Sequence, residues 1–118
     1  MLLAAGALSV LLAVGHSILG ERLVFGRLRR HGAWTEAALE IMERRRWWAV
    51  RASWHLVTVL AFGVAGILLA MATGAPPLKW ILAATFAVAT VYWAIATRLG
   101  HPAWIALGVI GVIVLFSN

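Results

Sequence analysis

Long runs of apolar residues, interrupted at three places by polar or helix-terminating residues, organise this chain. Leu2 to Phe25, Trp47 to Thr73, Leu78 to Thr97 and His101 to Phe116 are each predominantly apolar, and about 20 such residues cross the hydrocarbon of a bilayer at ~1.5 Å rise per residue. The pattern predicts four transmembrane helices. The fourth is the shortest and should stand nearly upright or thin the bilayer around it. Two of the breaks have plain causes. Thr73-Gly74-Ala75-Pro76-Pro77 cannot continue a helix, and Gly100-His101-Pro102 supplies a flexible residue followed by a proline suited to the first turn of the next helix. Both connections are short, so helices two to four form an antiparallel hairpin series. The expected fold is an all-α membrane protein: one transmembrane domain over residues 1–118, with four transmembrane helices in an antiparallel bundle.

The connection from the first helix to the second, residues 26–46, is of another kind. It holds Arg27, Arg29, Arg30, Arg44, Arg45 and Arg46 with Glu36, Glu40 and Glu43. It is long enough for a short helix beginning near Gly32, supported by a Glu40/Arg44 i,i+4 pair. Trp34, Ala38 and Ile41 fall roughly on one side, so such a helix could lie in the membrane interface. A solvated, charged connector that only sets topology is the plainer alternative.

Composition agrees with the pattern: 64% hydrophobic residues, 12% charged residues and a mean hydropathy of +0.95 in 118 residues are too apolar for a water-soluble domain. The net charge of +6 is concentrated, with eight of the ten Lys and Arg lying between Arg22 and Arg51. It therefore marks one loop and its flanks and not a nucleic-acid-binding surface. A basic segment beside a bilayer attracts anionic lipid and sets orientation, which places this loop and the Arg98 loop in the cytoplasm and both termini outside. Trp47 and Trp48 at one boundary and Trp80 at the other fit interfacial aromatic belts. The first segment lacks a basic leader and runs on to Arg27 without a small-residue cleavage site before a soluble domain, so it reads as a retained helix. With no cysteine, thiol catalysis, disulfides and thiolate metal sites are excluded.

Chemistry is confined to a few polar residues. His16, Ser17 and Glu21 lie toward the cytoplasmic end of the first helix, and Arg51, His55 and Thr58 make a polar stripe with Trp48 on the second. Glu21 has little reason to sit there unless a cation meets it. Antiparallel packing would set Arg51 at its depth, with His16 and His55 one to two turns deeper. Arg98 and His101 reach the same membrane face from the third and fourth helices. A hydrogen-bonded cluster that fixes helix packing follows most directly. Convergence of His16, His55 and His101 would instead make a haem or transition-metal site, and a His/Glu group open to one side could relay protons in a small-molecule transporter. Comparison with small multidrug exporters fails in detail, because Glu21 stands near the helix end beside an arginine. Trp54, Trp93 and Trp104 could wall a pocket, or simply pack and anchor. Ala83, Ala87, Thr90 and Ala94, Gly66 with Ala70, and Gly108 with Gly111 are small-residue faces suited to a compact bundle or to a homodimer or larger membrane complex. No nucleophile with a matched base and no phosphate-binding loop is present.

The segment Gly15-His16-Ser17-x-x-Gly20-Glu21-Arg22, followed by the arginine-rich loop and by Arg51-x-x-Trp54-His55, resembles an uncharacterised family of small bacterial four-helix inner-membrane proteins. That resemblance implies the fold and the location. It supplies no activity, and it singles out His16, Glu21, Arg51 and His55.

Overall fold

The computed structural model describes residues 1–30, 41–74 and 78–117, with only the backbone described at 41 and 42. Four helical stretches account for almost all of these residues: α1 over Leu2–Arg30, α2 over Ile41–Thr73, α3 over Leu78–Ala96 and α4 over Ala103–Phe116. No strand occurs among the described residues. The first three are long and apolar enough to cross a membrane; α4 has 14 residues and at ~1.5 Å each reaches only about 21 Å. Pro102 is the residue before α4, so His101 and Pro102 belong to the turn and not to the fourth helix.

The arginine-rich connection is shorter than residues 26–46. α1 continues through Arg30 and α2 begins at Ile41, so Arg44, Arg45 and Arg46 ride on the first turns of a helix. The interfacial helix expected from Gly32, including Trp34, Glu36, Ala38 and Glu40, lies outside the described residues.

Within α1, residues Gly20–Phe25 form a π-helical turn, closed by the Gly26 N–H donating to the Glu21 carbonyl. The turn packs closely against α2. A Cβ at Gly20 would stand 2.0 Å from Trp54 Nε1, so only glycine lets the indole of α2 lie against this turn. Phe25 is 1% exposed and meets Trp47 and Trp54 edge-on, with ring centroids 5.4 and 5.8 Å away. Trp47 is accordingly a core residue and not the interfacial anchor its position suggested.

Glycine and alanine contacts give the direction of each helix. Gly6 of α1 lies against Leu69 while His16 stacks on Trp54, so α1 and α2 run in opposite directions. Gly63 meets Thr85 and Gly66 meets Ile81; Gly108 meets Thr90 and Gly111 meets Phe86 and Ala83. On α3, Ile81 and Thr85 lie roughly 180° around the helix from Ala83 and Thr90 at ~100° per residue. Its two packing faces therefore point opposite ways, and α2 and α4 sit on either side of it. Among the described residues the substantial contacts run only between chain neighbours. At ~8–10 Å between axes, four helices side by side should be about 30 Å across, and the Cα extents are 51 × 31 × 11 Å. The helices form one row, one helix thick, where the sequence reading expected a bundle. The small-residue faces at Ala83, Ala87, Thr90, Gly108 and Gly111 are used inside the chain, between α3 and α4.

A single row buries little. Ala13, Ala52, Ala65 and Ala89 line the helix contacts. Large apolar side chains stay outside: Leu12 is 71% exposed, Ile95 72% and Ile113 63%.

Candidate functional site

The α1/α2 seam holds the polar residues. Gly20 allows the two helices to approach, and the π-helical turn that begins there sets Glu21 beside α2. Arg51 Nε donates to Glu21 Oε1 at 2.6 Å, and His55 Nε2 donates to the same oxygen at 2.9 Å. The second oxygen, Oε2, accepts from Arg29 Nη2 at 3.0 Å. One carboxylate thus gathers three donors from two helices. Charge-assisted bonds of this kind are the strong ones, although the exposure of Arg29 and Arg51 (42% and 45% of their side chains) lets solvent screen both pairs.

Arg29 was not legible as a partner. Eight residues past Glu21, it would stand about 80° off the glutamate face in an uninterrupted α-helix at ~100° per residue. The wider π-helical turn takes up that excess, because each residue in it advances through a smaller angle. The signal was the Gly20/Trp54 apposition, which only the packed pair of helices reveals.

Behind Glu21 the hydrogen bonding continues inward. With Nε2 of His55 committed as a donor to the carboxylate, its Nδ1 accepts from the Ser17 hydroxyl at 2.5 Å in the neutral ring. Ser17, His55 and Glu21 thereby form one connected line from mid-seam to the basic end. His16 lies on the same seam in a separate arrangement. Its Nε2 donates to the Trp54 carbonyl and Trp54 Nε1 donates to the His16 carbonyl, both at 3.2 Å. The two rings stack at 4.6 Å with planes 8° apart. On the other side of α2, a cavity of about 180 Å³ between α2 and α3 brings Trp48, Tyr92 and Ala96 next to Arg51 and His55.

The remaining residues singled out in the sequence go elsewhere. Thr58 is buried, and its hydroxyl has no hydrogen-bond partner among the described residues. The Arg98 guanidinium lies over the Trp48 ring at 4.4 Å. His101 sits on the α3/α4 turn, where Nδ1 accepts from the Ala103 N–H at 3.3 Å and the ring meets Trp93 edge-on at 5.4 Å. The three histidines do not converge: His16 and His55 occupy separate contacts on the α1/α2 seam, and His101 belongs to another helix pair. Both nitrogens of His55 and Nε2 of His16 already have protein partners. Among the described residues no three His, Cys, Asp or Glu side chains are grouped to hold a metal ion. Trp54 and Trp93 stand against different histidines and so do not wall one pocket, and Trp104 is half-buried near the start of α4.

No family model, curated protein or solved structure matches the chain.

Proposed function

We propose that the protein is a small, non-catalytic integral membrane protein of the bacterial inner membrane, structural or accessory in role, in which the Glu21 cluster locks α1 to α2. The observation that carries this reading is Glu21 itself, whose two oxygens are taken up by Arg51, His55 and Arg29. A carboxylate engaged in this way is suited to holding two helices in register, and it offers no free base or nucleophile. Membrane embedding is supported by three apolar helices of spanning length and by large apolar side chains exposed along the row, an amount of surface that water does not tolerate on an isolated domain.

Contacts between helices also gather the arginines at one end of the row. Arg29 and Arg51 meet at Glu21, Arg98 lies on Trp48, and Arg45 approaches Gly100, while Lys79 stands at the opposite end near Ser117. The positive-inside rule puts the arginine end in the cytoplasm and both termini outside.

The line Ser17–His55–Glu21 supports a second reading, proton-linked transport, since a histidine between a hydroxyl and a carboxylate can pass a proton. Two measurements test the proposal. Alkaline extraction should leave the chain in the membrane fraction, and reporter fusions should place Asn118 outside; release from the membrane or a cytoplasmic C-terminus refutes it. In liposomes the structural reading expects no flux that varies with pH, whereas pH-dependent flux that is lost in His55→Asn decides for the transporter.

A further inference from the structure

We infer that the cavity between the start of α2 and the α3/α4 turn binds the phosphate of an anionic phospholipid. This rests on the membrane reading above and adds a ligand site to it. The cavity is about 390 Å³, and Arg45, Arg46, Ala49, Val50, Thr97 and His101 line it. Its polar lining is donor-rich. Arg45 and Arg46 are exposed, make no hydrogen bond or ion pair with any described residue, and present guanidinium forks matched to phosphate oxygens. His101 uses Nδ1 to accept the Ala103 N–H, which puts the proton of the neutral ring on Nε2 and leaves a third donor. Among the described residues no carboxylate lines the cavity. An anion is the ligand such a set selects.

The surrounding chain is held in an unfavourable conformation. Arg98 and Leu99 have φ of 51° and 58°, the left-handed region that costs about 1–2 kcal/mol for each residue bearing a side chain. Hydrogen bonds from the Arg98 and Leu99 N–H groups to the Ile95 and Ala94 carbonyls fix the turn. Arg98 is thereby placed over Trp48, and the Thr97–His101 segment is held against Arg45.

The apolar wall decides between a lipid and a free phosphate. From Val50 in the cavity, an exposed stripe continues along α2 at seven-residue steps through Val57, Val64 and Met71, each between 51% and 57% exposed. Such a repeat drifts only about 20° per step, so the stripe runs nearly parallel to the helix axis. A phosphate seated between the arginines would have its acyl chain lying along these residues. The arginines end, and the apolar stripe begins, where headgroups meet hydrocarbon.

The test uses the full chain in phospholipid-free detergent micelles, with bound lipid counted by native mass spectrometry. Phosphatidylglycerol should bind at least about tenfold more tightly than phosphatidylcholine. The preference should disappear in R45Q/R46Q and persist in R22Q/R27Q, which removes the same charge from exposed arginines of α1. His101→Ala should weaken phosphatidylglycerol binding by at least about threefold, an independent reading if R45Q/R46Q fails to fold. Equal binding of the two lipids, equal loss in R22Q/R27Q, or saturation of the site by inorganic phosphate alone would each overturn the inference. Release of the chain by alkaline extraction would refute the membrane reading, whereas a chain that stays in the membrane without headgroup preference refutes only this site.

Discussion

Arg51 and Arg29 reach the same carboxylate by different routes, and the difference sets what each is worth. Arg29 lies on α1 with Glu21, so its bond at 3.0 Å spans part of one helix. Arg51 comes from α2, and its bond at 2.6 Å ties two helices together beside the partly buried His55. Screening keeps both modest. Arg51→Ala should therefore cost about 1 kcal/mol, and Arg29→Ala about 0.5 kcal/mol or less, in reversible unfolding from mixed micelles. Equal losses would show that the cluster does not join the helices. The expected Glu21/Arg51 pairing could be read from the sequence, because chain direction and the cost of an unpaired carboxylate leave few partners at that depth. The donation of His55 to the same oxygen depends on side-chain geometry that spacing does not fix.

At the scale of elements, two irregular backbone segments of the described residues stand beside the proposed sites. The π-helical turn at Gly20–Phe25 sits where α1 meets Trp54 and turns both Glu21 and Phe25 toward α2. The left-handed pair Arg98–Leu99 sits beside the basic cavity. Leu99 is 64% exposed, so its side chain contributes little packing to offset its backbone cost. Replacing it by glycine relieves about 1–2 kcal/mol of strain and restores about 0.5–1 kcal/mol of unfolded-chain entropy. Leu99→Gly should therefore leave the protein up to about 1 kcal/mol more stable in the same unfolding measurement; a clear loss of stability would show that the leucine side chain holds the turn. Sequence reading located this break correctly but assigned its flexibility to Gly100, whereas the positive φ values fall on the two residues before it.

The whole molecule is a row because α3 has opposed packing faces. α3 meets α2 through Ile81 and Thr85 and α4 through Ala83, Phe86 and Thr90, and a helix with partners on opposite sides cannot help close a ring. A closed bundle would bring α1 and α4 together; the row keeps them at its two edges, across a width of 31 Å. A cysteine pair at Gly6 and Leu69, where a Cβ on Gly6 would stand 2.9 Å from the Leu69 side chain across α1 and α2, should crosslink within one chain. A pair at Leu8 and Val112, on α1 and α4, should not. Efficient intrachain crosslinking of the second pair would show closure into a bundle.

What the sequence by itself determined is the material of the protein: four apolar helical segments, the glycine and proline breaks between three of them, the concentration of arginine near one boundary, and the need of Glu21 for a cation. These depend on composition and on spacing along one helix, which the chain carries locally. Tertiary structure decided which faces meet. It set the helices in a row, turned Trp47 and Phe25 into core, and brought Arg29 to Glu21 through a π-helical turn. It also parted His101 from His16 and His55, and joined Arg45 and Arg46 to a turn some fifty residues away. Each of these outcomes rests on how helices rotate and approach once packed, and close approach depends on where a glycine lies opposite a large side chain, a relation between segments that no single segment contains.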